Sequence, residues 1–582
     1  MRFTFAFLLL CSLALPLTMN AQIGWSKHVY NNVTGFRELR GDFNNDGYPD
    51  LFVYDGNTVS VLLNDGHGSF GNAHTLNLAM TDATLVDFNR DGNLDVAGCN
   101  AGILEILDGN GDGSLTLTHP VQQHCAWVAS GDFNGDGNPD LVVGYPASPK
   151  NGPNTVLVLL GTGDGGFLSV VEHDNVDFNS DEGNACQLDG RAIAADFTGD
   201  KITDLFITAD CFNDVNSESA VIFGQGDGTG HLTFHKDVET GYDASMKVQL
   251  GEGNGDGKND VVAVGQGSAP HGSGSSALFL FLSHGDGTFE TKTVAAGSQG
   301  TGDEIILRAG AFADFNGDGI KDGLVMVDTF PLAGGENLTI QLYAGQPDGS
   351  YKLAGQSSLG SQVEDMLWGD FNKDAVADVA LLRPNSTDVW LNQGTAATCS
   401  PKPTSLRSLS LCPLTIGTGS FLVLATPLDN RQVNAMQIYV DGVLTVQTPD
   451  DLLDARLSLT PGQHRITAKA WDDLGAFSAT TTVPSTAPCT NTTNETVKIC
   501  NPLNGASFTS NGGKATVEIQ AAAATNLKFS ALQVYVDGAL LTSTTSKSVD
   551  VSPVLSTGTH RITVKGWDSS EAFSTTINVT VK

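Results

Sequence analysis

One nine-residue pattern, D-x-N-x-D-G-x-x-D, recurs seven times and constrains this chain more than any other feature. It reads "DFNNDGYPD" from Asp42, "DFNRDGNLD" from Asp87, "DFNGDGNPD" from Asp132, "DFTGDKITD" from Asp196, "EGNGDGKND" from Glu252, "DFNGDGIKD" from Asp314 and "DFNKDAVAD" from Asp370. The copies start 45 to 64 residues apart. Self-similarity at such a period marks a radial or stacked array in which each copy belongs to one supersecondary unit. The text between copies is regular as well. An apolar strand such as "DLFVY" follows each pattern, then a second such as "VSVLL" or "LFLFL", then a Gly/Asp turn such as "NDGHGSF" or "GTGDGGF". A further strand leads to the next copy. Helical periodicity is absent, and four short strands per unit describe a propeller blade.

The pattern itself is a set of oxygen ligands. Positions 1, 3, 5 and 9 offer side-chain oxygens, and position 7 offers its carbonyl, as at Tyr48. Alternate spacing turns successive side chains toward one centre as the loop curls, and Gly at position 6 permits a left-handed backbone. Several hard carboxylates in a flexible loop favour Ca²⁺ over Mg²⁺ or Zn²⁺. The Glu at position 12 and the flanking helices of an EF-hand are both missing.

These repeats resemble the FG-GAP or VCBS family, the calcium-loop repeats of integrin α-chains and many secreted bacterial proteins. The resemblance covers residues 22–394 and implies a seven-bladed propeller with Ca²⁺ in the loop joining the first two strands of a blade. Carried onto this sequence, it implies ligand sets Asp42, Asn44, Asp46, Tyr48 and Asp50; Asp87, Asn89, Asp91 and Asp95; Asp132, Asn134, Asp136 and Asp140; and Asp314, Asn316, Asp318 and Asp322. Glu252, Asn254, Asp256 and Asp260 form a variant with a longer first ligand. Two copies depart further. Asp196, Asp200 and Asp204 surround Thr198 and Lys201, while Asp370, Asn372, Asp374 and Asp378 surround Ala375. Up to seven Ca²⁺ are expected, with reduced occupancy in these last two loops. The first copy also overlaps "RGD" at Arg40, a cell-adhesion tripeptide. The ligand reading claims Asp42 for a metal and makes the tripeptide coincidental.

Acidic residues number 65 against 30 basic ones, a formal charge of −35. Such a chain repels phosphate backbones, so nucleic acid is excluded as a partner and divalent cations are favoured. The start, "MRFTFAFLLLCSLALPLTMNAQ", reads as a secretory signal peptide over residues 1–21, cleaved near Ala21. No later apolar run is long enough to span a bilayer. Secretion to the medium or the cell surface is therefore expected. Beyond Cys11, eight cysteines fall as neighbours, and disulfides are expected for Cys99–Cys125, Cys186–Cys211, Cys399–Cys412 and Cys489–Cys500.

Composition shifts after residue 394. A linker over 395–410 precedes two related segments, 411–484 and 497–582, separated by a second linker over 485–496. "QIYVDGVL" at Gln437 matches "QVYVDGAL" at Gln533, and "GQHRITAKAWDDLGAFS" at Gly462 matches "GTHRITVKGWDSSEAFS" at Gly558. Alternating strands and D-G hairpin turns indicate two β-sandwiches, each with a Trp expected to be buried (Trp471, Trp567). They resemble bacterial Ig-like modules. His464 and His560 hold matching positions and are expected to be structural. The expected fold class is all-β: a seven-bladed β-propeller followed by two Ig-like β-sandwich domains.

No catalytic signature is present: no G-x-S-x-G, H-E-x-x-H or phosphate-binding G-x-x-x-x-G-K-[ST]. "HLTFH" at His231 places two imidazoles on a strand. The expected function is a calcium-binding recognition or adhesion protein, a propeller head on an Ig-like stalk that binds an extracellular glycan or protein. The alternative is a carbohydrate-active protein, either a lectin or a polysaccharide lyase or glycosidase. Two structural expectations follow from chain direction. The seventh unit lacks an outer strand, which Ile23–Tyr30 is positioned to supply. The longest insertions, near Tyr145, His173, Asp210 and Gly265, all belong to the face opposite the metal loops, and recognition is expected there.

Overall fold

The computed structural model describes residues 24–582 apart from 32, 34, 146–153, 177–184, 188–190, 213–216, 240–246, 255, 269–273, 298–303, 332–336, 361, 394–402, 404, 418, 486–488, 490, 509 and 511–512. The expected signal peptide and the tips of the long insertions fall outside this set. Among the described residues every regular element is a strand. Among the described residues, no helix is long and apolar enough to cross a membrane.

Seven antiparallel sheets follow one another along residues 24–393. Blade one runs Arg37–Gly41, Asp50–Tyr54, Val59–Asn64 and Phe70–Leu76, in that spatial order. Blades two, three, five and six repeat this meander, and blade four adds Ala185–Gln187 beside Ala192–Ala195 on the same partner strand. The innermost strands neighbour each other in blade order, and that of blade seven, Asp365–Gly369, neighbours that of blade one, so the ring closes. Closure has a second component. Trp25–Asn31 pairs antiparallel with Ser386–Asn392, from Trp25 opposite Asn392 to Asn31 opposite Ser386, and becomes the outer strand of blade seven as chain direction requires. The added strand covers the edge of Ser386–Asn392, which would otherwise stand unpaired as a template for aggregation.

The second residue of the repeated pattern holds neighbouring blades together. Phe43, Phe88, Phe133, Phe197, Phe315 and Phe371 are all buried. Their carbonyls accept hydrogen bonds from the next blade: from Gly113 N–H to Phe43 (2.9 Å), Gly165 N–H to Phe88 (3.2 Å), Gly230 N–H to Phe133 (3.1 Å), Ser283 Oγ to Phe197 (3.0 Å), Asn392 Nδ2 to Phe315 (2.8 Å) and Asn64 Nδ2 to Phe371 (2.7 Å). Each ring contributes on the order of 2–3 kcal/mol of apolar burial. The fifth copy has Gly253 here, and a Cβ at that position would stand 2.5 Å from Leu280.

Two sandwiches follow. In the first, Ser408–Gly417, Ser420–Leu428 and Leu453–Ser458 face a sheet of Val443–Thr448, Ala435–Val440, Gly462–Asp472 and Gly475–Ser485. Its first strand begins slightly before the expected boundary at 411. The second repeats the larger sheet with Phe529–Val536, Ala539–Thr544, Gly558–Asp568 and Ala572–Val581. The expectation of a buried Trp is wrong. Strand alternation sends His560, Ile562 and Val564 inward and therefore Trp567 outward, where it is 40% exposed; Trp471 is only half-buried. His464 and His560 are structural. Each ring bonds an aspartate of the D-G turn through Nδ1 (Asp441 and Asp537, 2.7 Å) and a carbonyl through Nε2 (Thr460 and Ser556, 2.7 Å). His231 and His235, four residues apart beside or on strand Leu232–Glu239, would be separated by about 13 Å in extended chain and make no metal pair.

Cys99–Cys125 and Cys489–Cys500 are bridged, with Cα atoms 5.3 and 5.8 Å apart. Cys186 lies directly opposite Cys211 in the strand register. Cys399 lies outside the described residues, and the pairing expected for it with Cys412 falls there too.

Candidate metal centres

All seven patterns curl into the same loop between the first and second strands of a blade. The sixth position is left-handed in every copy: Gly47, Gly92, Gly137, Gly257 and Gly319 at φ of 88°, 90°, 82°, 79° and 78°, but also Lys201 at 73° and Ala375 at 66°. The fourth position is left-handed too, at Asn45, Arg90, Gly135, Gly199, Gly317 and Lys373. The Asn or Gly found there in most copies was the overlooked signal, since these residues tolerate that conformation best.

The first carboxylate gathers the loop's N–H groups. Asp42 accepts from Asn44 N–H and Asp46 N–H (3.2 Å each) and from Gly47 N–H (2.7 Å). Asp87, Asp132, Asp196, Asp314 and Asp370 likewise accept from the sixth N–H of their loops, and Glu252 accepts from Asn254 N–H and Asp256 N–H. The third residue accepts from the fifth N–H, as Asn134 does from Asp136 (3.0 Å), and the fifth from the seventh, as Asp136 does from Asn138 (2.7 Å). The ninth aspartate has a further duty. Asp50, Asp95, Asp140, Asp204, Asp260, Asp322 and Asp378 are all fully buried. Each accepts from the N–H of its own second residue and from an N–H at the end of the third strand; for Asp140 these are Phe133 and Gly161, both at 2.8 Å. The ninth carboxylate is thus a staple within the blade as well as a candidate ligand.

Burial pushes these acids up. Asp42 is raised to about 6 and Asp140 to about 6, with Asp95 and Asp260 at about 7 and Asp50 at about 8; carboxylates of the same loop add to the effect. Such a cluster fits a divalent cation, which would offset desolvation and mutual repulsion together. Two observations test the fit. In blade five, Glu252, Asp256 and Asp260 bring carboxylate oxygens within 4.8 Å of one another, the longer Glu reaching the centre. In blade six, the buried Oδ1 of Asn316, the third-position oxygen, has no hydrogen-bond partner.

The first sandwich covers this face of the propeller. Arg40 pairs with Asp451 at 2.9 Å and stacks over Trp368. The adhesion tripeptide is therefore engaged internally at both Arg40 and Asp42. Lys321 meets Asp454 at 3.2 Å and Asp450 at 3.7 Å. Leu422, Leu424 and Leu452 share a core with Phe315, Trp368, Ala375 and Ala377. The first module of the expected Ig-like stalk lies against the loops.

Around the axis at the opposite end, charges cross between blades. Arg37 pairs with Asp82 at 2.9 Å, and Asp365 lies 3.7 Å from both Arg191 and Lys247. Glu38, buried in the same region, is pushed well up by desolvation and by Asp365.

Residues 42–97, 87–143 and 253–325 match the family described as FG-GAP-like repeat, and residues 126–168 match the FG-GAP repeat. Residues 496–564 match the bacterial Ig domain. No curated protein matches the chain. Solved structures resemble it distantly. Drosophila Semaphorin 2a is 10% identical over 95% of this chain and 99% of its own, with a TM-score of 0.37. An Agrocybe aegerita lectin, described as recognising non-reducing terminal N-acetylglucosamine, is 17% identical over 60% of this chain and 85% of its own, at 0.34. The fibronectin(III)-like modules of Clostridium thermocellum CbhA are 19% identical over 30% of this chain and 94% of their own, at 0.14. With seven closed blades on one side and the matched repeats and Ig domain on the other, the chain is a β-propeller of FG-GAP repeats with a bacterial Ig domain at its C-terminal end.

Proposed function

We propose that this chain is an exported, calcium-binding recognition protein that reads an extracellular glycan or protein through the propeller face opposite its metal loops. FG-GAP repeats and an Ig domain suggest adhesion or recognition as the general role. The observation that carries the finer reading is the placement of the first sandwich: it occupies the metal-loop face and leaves the opposite one to a ligand. The connections over 146–153, 213–216 and 269–273 spring from strand ends on that opposite face, since Asp140, Asp204 and Asp260 begin the same strands beside the metal loops. Disulfide Cys99–Cys125 ties the same end, because Cys99 pairs with Asp82 at the start of an inner strand. Long connections on a rigid ring are suited to recognition. The metal loops then serve to stiffen the scaffold through Ca²⁺ held by positions 1, 3, 5 and 9. Disulfides agree with an extracellular setting. The test is a glycan array and a cell-surface pull-down with the full chain. Shortening the connections at 146–153 and 269–273 is expected to abolish binding with the propeller still folded; binding that survives this change refutes the assignment of the face.

A further inference from the structure

The seventh loop departs from the repeat where the first sandwich lands. Ala375, in place of glycine, is 2% exposed, Val376 is 5% and Ala377 is 0%. Ala375 and Ala377 pack on Leu422, Leu424 and Leu452 of the sandwich. Lys373 is equally buried, and Asp451 of the sandwich pairs with Arg40 beside this seat at 2.9 Å. The odd copy is shaped as a seat.

The other loops are read by their backbone. Arg456 Nε donates to the carbonyl of Asp318, and Gln447 Nε2 to that of Gly257 at 3.4 Å. A Cβ on Gly47 would stand 2.7 Å from Leu428, and one on Gly319 would stand 2.7 Å from Arg456. These are the left-handed sixth positions, so the sandwich rests directly on glycines whose place is set by the curl of the loop. The sandwich segment that reaches in, "PDDLLDARLS", is acidic and faces loops that are themselves acidic. Asp451 reaches Arg40, and Asp450 and Asp454 reach Lys321, which sits in sequence between the loop residues Asp318 and Asp322.

We propose that the metal loops of blades one, five, six and seven are the docking seat of the first sandwich, and that divalent cations bound there hold it on the propeller. The cation does two things for docking: it fixes the curl that presents the Asp318 and Gly257 carbonyls, and it reduces the negative charge around Arg40 and Lys321, the partners of Asp451, Asp450 and Asp454. Removal of the cations frees the sandwich to swing on the linker while it stays folded around its own core of Val423, Ile438 and Ile466. This inference rests on the calcium reading above.

The test is amide hydrogen exchange on the full chain, in Ca²⁺ and in chelator, with titration calorimetry of Ca²⁺ on the same preparation. Chelation is expected to speed exchange over residues 449–457 about tenfold or more, while strand Gly462–Asp472 stays protected. Unchanged exchange at 449–457 despite calorimetric binding overturns the docking inference alone. Absence of any calorimetric binding overturns the calcium reading and the inference with it. Asp451→Lys is expected to expose 449–457 even in Ca²⁺ while the number of ions bound stays the same. Gln447→Ala, a milder change, is expected to do so partially. Full protection in both variants contradicts the seat.

Discussion

Two aspartates of the third loop separate the role of the metal from that of the blade. Asp140 is fully buried, and its two oxygens accept from Phe133 N–H and Gly161 N–H at 2.8 Å each. Asp140→Ala leaves both donors buried and unpaired, at about 1–3 kcal/mol each, so about 4 kcal/mol in all, with or without Ca²⁺. Asp136 is exposed and accepts from Asn138 N–H and Asn134 Nδ2, for which water can substitute. Asp136→Ala therefore costs about 0.5 kcal/mol in chelator. In Ca²⁺ at about 100 times the dissociation constant, a filled site adds about 2.7 kcal/mol, so the same substitution costs about 3 kcal/mol. The buried Trp127 of the same blade reports the transition by fluorescence. At roughly 2 °C per kcal/mol for a domain this large, Asp136→Ala is expected to lower the melting temperature about 5–6 °C in Ca²⁺ and about 1 °C in chelator. Asp140→Ala is expected to lower it about 8 °C in chelator. Equal shifts for Asp136→Ala under the two conditions refute a metal at this loop. A shift for Asp140→Ala in chelator no larger than that for Asp136→Ala refutes the staple.

Three further expectations follow from named geometry. Lys201 holds a left-handed φ of 73° on an exposed loop, so Lys201→Gly is expected to raise propeller stability by about 1 kcal/mol in thermal melts. The Asp537 carboxylate and the Ser556 carbonyl raise His560 above its ordinary value of 6.5, so its contribution is complete below about pH 6.5 and is lost as pH rises through the raised value. The melting difference between wild type and Asp537→Asn is accordingly expected to narrow from pH 5.5 to 8.5. Deleting Trp25–Asn31 opens the pairing with Ser386–Asn392 and is expected to lower the melting temperature and promote oligomers by light scattering; a monomer of unchanged stability contradicts the closure.

Local chemistry was legible in the sequence and long-range packing was not. The seven patterns, the four strands between them and the spare strand at the N-terminal end of the ring follow from spacing and direction, because turn residues and period-2 alternation act within a few residues. The second-position Phe was visible in six copies, yet its role depends on a carbonyl meeting the next blade, and no pattern announces that. The outward face of Trp567 was readable by counting alternate positions from Ile562. The docking of the first sandwich was out of reach: Arg40 and Asp451 are 411 residues apart, and neither departs from ordinary surface composition. Its trace in the sequence was the seventh loop, where Ala375 and Val376 are apolar and buried, Ala375 within the core shared with the sandwich.

The most direct test of the whole account is a count of tightly bound Ca²⁺ by equilibrium dialysis of the full chain after exhaustive chelation. The account predicts at least the four ions held by the loops beginning at Asp42, Asp87, Asp132 and Asp314, with one lost in Asp132→Ala. A protein that binds no Ca²⁺, or binds the same number in that variant, contradicts it.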